Sequence, residues 1–125
     1  MLVRGFRGAT TVDANTREAI LEATAELLDE LVRANDIQRD HVASIIFTTT
    51  PDLNAEFPAV AARDAGWTDI ALMCGHEMNV PGSLPRCVRI LMHVNTELAA
   101  DQVKHVYLRE ARALRPDLAA GEKRR

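Results

Sequence analysis

Lysine is nearly missing from this chain of 125 residues: 13 of its 15 basic residues are arginine, leaving only Lys104 and Lys123. These two sit in a charged stretch and near the end of the sequence, which argues against Schiff-base chemistry. Cysteine is equally scarce. Cys74 and Cys87 are too few for a disulfide framework and lack the paired C-x-x-C spacing of a zinc site. No apolar run approaches the roughly 18 to 20 residues that cross a bilayer. The opening Met1-Leu2-Val3-Arg4-Gly5 has charge and glycine where a secretion signal needs an apolar core, so a cytoplasmic protein with no membrane contact is expected. The formal net charge is −3 and the basic residues are scattered among acidic ones, so the electrostatic footprint of a nucleic-acid binder is missing.

What is present fits one domain. With 47% hydrophobic and 26% charged residues, a chain of this length buries a sizeable core without covalent staples. No repeat, low-complexity tract or linker interrupts the first 115 residues. Leu2 to Ala9 reads as a short strand interrupted by Gly5 and Gly8. Asn15 followed by Glu18 has the spacing of a helix capping box, and Ile20, Ala23, Leu27, Leu28 and Leu31 recur at helical period up to Asn35. Ala43 to Thr50 is rich in β-branched residues and ends at Pro51-Asp52, the pattern of a buried strand entering a turn. Pro58 opens a second helix that Gly66 stops. Ile70 to Cys74 reads as another buried strand, halted by Gly75, and Cys87 to Val94 as a long apolar strand carrying one arginine. Asp101 to Leu114 fits helix and strand patterns alike, with propensity leaning to helix. Together the elements predict an α+β (α/β-like) domain with a mixed β-sheet flanked by helices.

The chemistry-bearing residues are unusual for what they omit. His41, His76, His93 and His105 are far apart, and no H-E-x-x-H or paired C-x-x-C spacing builds a metal site, although His76, Glu77 and His93 define a metal-dependent alternative. Cys74 lies two residues from His76, and the two share a strand face only if the strand runs through Gly75; a small, buried, inert thiol is the simpler expectation. His76 reads as a turn residue and His93 as a solvent-facing residue on a strand edge. No nucleophile elbow or phosphate loop surrounds Thr48-Thr49-Thr50 or Ser83. What remains is arginine at positions where the pattern expects a neutral residue: Arg7, Arg63, Arg89 and Arg115, with Glu77 and Tyr107 at similar junctions. Arginine stems often just cover apolar surface. As a set, these residues point to a pocket for a small multi-carboxylate compound, because guanidinium grips carboxylate through paired hydrogen bonds.

Several spaced blocks carry a family likeness. Val3-Arg4-Gly5-Phe6-Arg7-Gly8-Ala9-Thr10-Thr11-Val12, Thr50-Pro51-Asp52-Leu53 with Phe57-Pro58-Ala59, Glu77-Met78, Cys87-Val88-Arg89-Ile90, and His105-Val106-Tyr107-Leu108 through Leu114-Arg115-Pro116-Asp117-Leu118 together resemble the AroH-class, monofunctional chorismate mutases. The resemblance spans nearly the whole chain in order. It implies a domain over residues 1–118 with a tail at 119–125, and a homotrimer forming a pseudo-α/β barrel with active sites between subunits. It also implies a strand over Val106 to Leu114. The implied reaction converts chorismate to prephenate by a unimolecular Claisen rearrangement in phenylalanine and tyrosine biosynthesis, with no cofactor and no metal. A noncatalytic oligomeric module that binds a small dicarboxylate is the rival reading.

By the same resemblance, Arg89 is the cation beside the breaking ether bond, and Arg7 binds carboxylate and the ether-side oxygen. Glu77 and Cys74 flank the ring hydroxyl and Tyr107 bonds a carboxylate. Phe57 and Leu114 shape an apolar wall, Ala59 and Met73 contribute to the substrate pocket, and Arg63 and Arg115 close its mouth. Val60 and Met73 depart from the family pattern, which has lysine and threonine there, so position 60 supplies no charge.

Overall fold

Period-two alternation in four segments becomes four long strands of one sheet, visible in a computed structural model that describes residues 1–114. β1 spans Leu2–Thr11, β2 Val42–Thr49, β3 Ala71–His76, β4 Cys87–Thr96, and a two-residue β5 covers Val106–Tyr107. Their order is β3-β2-β4-β1-β5. β4 runs antiparallel to both β1 and β2, while β3 is parallel to β2 and β5 is parallel to β1. Two helices, α1 over Arg17–Asn35 and α2 over Ala59–Asp64, complete the mixed α+β domain. Among the described residues, no helix is long and apolar enough to cross a membrane.

The sheet has two unequal faces, because alternate residues of a strand point to opposite sides. Phe6 from β1, Ile45 and Phe47 from β2, and Ile90, Met92 and Val94 from β4 pack with Leu27, Leu28 and Leu31 of α1 and with Ala59 and Ala62 of α2. Complete burial of each large side chain there contributes about 1.5–3 kcal/mol, and this layer is the main core. A smaller cluster of Val12, Ile20, Ala23, Leu53 and Val88 closes one end. On the other face, the register aligns Met73, Ile46, Leu91 and Arg7 in one row, and Gly75, Thr48, Arg89, Ala9 and Tyr107 in the next. Val3, Arg7 and Met73 on this side are exposed, and Ile46 and Leu91 are only half-buried.

Several sequence expectations need correction. β1 is one continuous strand to Thr11: Gly5 and Gly8 stay in register with His93 and Ile90 and do not interrupt it. Thr16, not Asn15, caps α1, accepting the Ala19 N–H at 3.1 Å. Asn15 instead accepts the N–H groups of Asn54 and Ala55, each at 3.0 Å, and donates to the Asn54 side chain, tying the Leu53–Phe57 loop to the start of α1. Gly75 does not halt β3, because it pairs with Thr48 and the strand runs on to His76. His93 lies on the central strand β4, not an edge, with Nδ1 3.0 Å from the Ser44 hydroxyl.

The largest error concerns Val106 to Leu114. Only Val106–Tyr107 pairs as a strand; Arg109 then takes a left-handed φ of 52° and the chain winds as a 3-10 helix over Arg109–Leu114. The Arg109 guanidinium holds that turn by donating to the Thr11 carbonyl and to Glu26, each at 3.2 Å. β1 runs on past Ala9 to Thr11, but the left-handed Arg109 turns the chain away. The Thr11 carbonyl and hydroxyl accept the Arg109 guanidinium and the Glu110 N–H instead, so the helical propensity of the alanines and arginines prevails locally. Arg115 and the expected boundary at Leu118 with its tail, 119–125, lie outside the described residues.

At Gly8, α1 packs tightly against the sheet. A Cβ there would lie 3.0 Å from Leu27 Cδ1 and 3.4 Å from the Val106 carbonyl oxygen. Leu27 is fully buried and Val106 is backbone, so neither gives way easily. Gly8→Ala is expected to lower stability by about 1–3 kcal/mol through overpacking, read as a lower urea midpoint with an unchanged m-value.

Candidate active site

The uncovered sheet face builds one cleft by register alone. Arg7 and Ala9 on β1, Ile46 and Thr48 on β2, Arg89 and Leu91 on β4, and Tyr107 on β5 point the same way and, with Glu77 beyond β3, line about 200 Å³. Arg89 sits at the centre of this row, with Ala9 on one side and Thr48 on the other. Small neighbours leave room for its guanidinium.

Electrostatically the cleft is arginine-rich with one carboxylate. Glu77 is placed by its own N–H, which donates to the Thr49 carbonyl at 2.8 Å, and by the Thr48 hydroxyl, which donates to its carboxylate. Its Oε2 lies 3.7 Å from Arg89 Nε, a charge contact rather than a hydrogen bond. With the Arg89 side chain 42% and the Glu77 side chain 31% exposed, such a pair contributes about 0–1 kcal/mol. Arg89 Nε itself is screened from solvent and finds no hydrogen-bond partner among the described residues. A buried donor left unmade costs about 1–3 kcal/mol. The fold therefore holds a cationic donor beside the cleft whose Nε finds no hydrogen-bond acceptor among the described residues, while the guanidinium also bears on the Cys87 thiol.

A second groove of about 320 Å³ lies on the helix side of β3 and the loop before α2. Thr49, Leu53, Asn54, Ala55, Glu56, Phe57, Pro58, Cys74, Gly75 and His76 line it. Cys74 and His76 do share a strand face, because β3 runs through Gly75. His76 Nδ1 lies 3.1 Å from the Thr49 hydroxyl, on the strand paired with its own. Phe57 is exposed, and Arg17 holds Glu56 beside it through a 3.1 Å ion pair.

The chain thus gathers Arg7, Glu77, Arg89 and Tyr107 in one cleft and Phe57 and Cys74 in another. Ala59 is buried in the core, with its backbone N–H directed to the Cys74 thiol. Arg63 is exposed on α2 and adds a favourable field at Cys74. Met73 is 65% exposed on the uncovered face, opposite to its neighbour Cys74. Leu114 is half-buried and packs against Ala9, Cys87 and Ala111 on the same sheet face, beside the Arg89 cleft. Among the described residues, no group of three or more His, Cys, Asp or Glu is placed to hold a metal ion. Sequence reasoning missed Thr48, Ile46 and Leu91; the alternation of Ile46 with Thr48 around buried Phe47 was the available signal.

An arginine-bearing cleft on one face of a mixed, helix-backed sheet defines the class: a small α+β protein with a cationic groove. Residues 3–118 match the family chorismate mutase type I, and the chain belongs to that family. It is 51% identical over 122 residues to the protein named chorismate mutase AroH of Thermus thermophilus, covering 97% of this chain and all of that one. It is 43% identical over 120 residues to chorismate mutase AroH of Bacillus subtilis, covering 95% and 94%. A solved chorismate mutase from Clostridium thermocellum superposes with a TM-score of 0.87 at 51% identity, over 88% of this chain and 98% of that one. These relationships favour an isomerase over a noncatalytic binding module.

The two thiols should differ in reactivity. Burial pushes the Cys74 thiol above its ordinary pKa, against the opposing pull of the Ala59 N–H and Arg63. Burial also raises Cys87, which is fully enclosed; the Arg89 charge pulls the other way, and the Glu77 charge adds to the rise. Only thiolate reacts. Iodoacetamide should therefore modify Cys74 slowly at neutral pH and faster as pH rises past 9, and leave Cys87 untouched in the folded protein. Peptide mass mapping checks both, and rapid labelling of Cys74 at pH 7 would contradict the burial argument.

Proposed function

We propose that the cleft of Arg7, Glu77, Arg89 and Tyr107 is where this chorismate mutase binds chorismate and turns it into prephenate. The observation that carries the reading is the dry, unanswered Nε of Arg89 beside an open cleft. The rearrangement breaks one C–O bond as one C–C bond forms, so it needs no proton transfer and no covalent intermediate. Bond breaking runs ahead of bond making, and negative charge gathers on the ether oxygen. A fixed guanidinium there stabilises the transition state more than the substrate. Arg7 and Tyr107 hold carboxylate, and Glu77, kept in place by Thr48, faces the ring hydroxyl. Selecting the reactive chair of a flexible dianion is a positioning task, which a rigid sheet face performs well.

In the same reading, the site is completed by a neighbouring copy. Phe57 and Cys74 open on the helix side of β3, away from the arginine cleft, so one chain offers two half-sites that two adjoining copies would join. The partly apolar, uncovered sheet face of Val3, Ile46, Leu91 and Met73 supports packing against further copies, in a homotrimer whose sheets face a common centre. Arg63 and Arg115 would then close the mouth. The absence of charge at Val60 leaves carboxylate binding to the arginines. The enzyme works in the cytoplasm, without cofactor or nucleic acid.

Loss of the diene absorbance of chorismate follows turnover directly. Arg89→Ala should lower kcat by about two to three decades, the usual cost of removing one transition-state donor. Arg89→Lys should remain severely impaired, because ammonium cannot reproduce the guanidinium geometry. Near-normal kcat in the lysine variant, or binding of chorismate without turnover by the unaltered protein, would overturn the assignment. Light scattering on the full chain should give three times the 13.8 kDa subunit mass.

A further inference from the structure

β5 is only two residues long, yet it carries Tyr107, one wall of the arginine cleft. Two register pairs, Gly8 with Val106 and Ala9 with Tyr107, attach it to β1. A ladder this short does not persist by itself, so its placement depends on what fixes its ends. Past the strand, the Leu108 N–H donates to the Ala9 carbonyl at 2.9 Å. Before it, Asn35 at the end of α1 brackets Lys104: its amide nitrogen donates to the Lys104 carbonyl and its amide oxygen accepts the Lys104 N–H, each at 2.8 Å.

Between these two points lies His105. Its Nδ1 accepts the backbone N–H of Arg7 at 3.0 Å. The imidazole therefore occupies the position of a backbone acceptor on the β5 side of β1, and its ring proton sits on Nε2, since a nitrogen that accepts carries no hydrogen. The residue that donates is the one whose guanidinium lines the cleft. By strand alternation, Arg7 and Ala9 face the same side of the sheet, and Tyr107 is paired with Ala9.

We propose that His105 is a positioning residue for the rearrangement. Its hydrogen bond to the Arg7 N–H sets β1 against β5 and so fixes how far the Arg7 guanidinium stands from the Tyr107 hydroxyl. The two groups that hold substrate carboxylate come from different strands, and this bond locks their separation before substrate arrives. The inference rests on chorismate binding in the Arg7 cleft, which the test below checks separately. A ligand clamped by two groups loses affinity when their spacing loosens, whereas the electrostatics at Arg89, two strands from β5, are left in place.

Steady-state kinetics with chorismate on the full-length protein provides the test, using His105→Ala, His105→Asn and His105→Gln with Arg7→Ala as control. The Asn side-chain oxygen reaches the position of Nδ1 and accepts; the longer Gln amide does not. Ala and Gln should raise KM about fivefold, the loss of one ordinary hydrogen bond, with kcat little changed. Asn should restore KM to within about twofold of the unaltered protein, a margin below that of one hydrogen bond. If the alanine variant does not fold, the Asn and Gln pair decides by the same comparison. Equal KM in Asn and Gln, or a fall in kcat at unchanged KM, would overturn the positioning role. Full activity in Arg7→Ala would instead show that substrate binds elsewhere, and the role of His105 would fall with that reading.

Discussion

Everything in the cleft depends on the central strand being antiparallel to both of its neighbours. β4 lies between β2 and β1, and that placement puts Arg89 opposite Thr48 on one side and Ala9 on the other. The same residues on an edge strand would leave the guanidinium free to swing into water. Here its Nε is shut away from solvent while the rest of the side chain opens on the cleft. The arginine is aimed by the backbone ladder, which is the most rigid part of a small domain.

The second constraint is that a sheet has only two faces. β3 places Cys74 and His76 on the side that carries the helices, and Met73 and Gly75 on the side that carries Arg89. Residues adjacent in sequence thus serve different surfaces. This explains why Met73 and Cys74, which a family pattern groups together, are separated by the thickness of the sheet within one chain. Under the proposed function, that separation is the reason a second chain would be needed to bring both surfaces to one ligand.

The long elements were legible in the sequence because their burial is periodic. The apolar stripe from Ile20 to Leu31 gave α1, and the β-branched run around Phe47 gave β2. Arg89 was legible as a charge inside an otherwise apolar strand. What the sequence hid were effects that depend on partners. Gly75 looks like a stop and is a strand residue because Thr48 pairs with it. Asn15 looks like a cap, but its side chain is taken by the loop carrying Asn54 and Ala55, and Thr16 caps in its place. His93 looks like an edge residue because strand order is not written in periodicity. The stretch after Tyr107 turns away at the left-handed Arg109, whose guanidinium donates to the Thr11 carbonyl at the end of β1, 98 positions earlier in the chain.

Arg89 Nε, without a hydrogen-bond partner among the described residues, also bears on how the fold responds to an anion. A donor held from water without an acceptor is costly, and an acceptor placed in the cleft would offset that cost. Binding to the native state alone adds stability by mass action, about 2.7 kcal/mol at a hundredfold excess over Kd. Under the proposed function, heat resistance becomes a readout of occupancy, the unfolding temperature rising with the concentration of a ligand that fills the cleft.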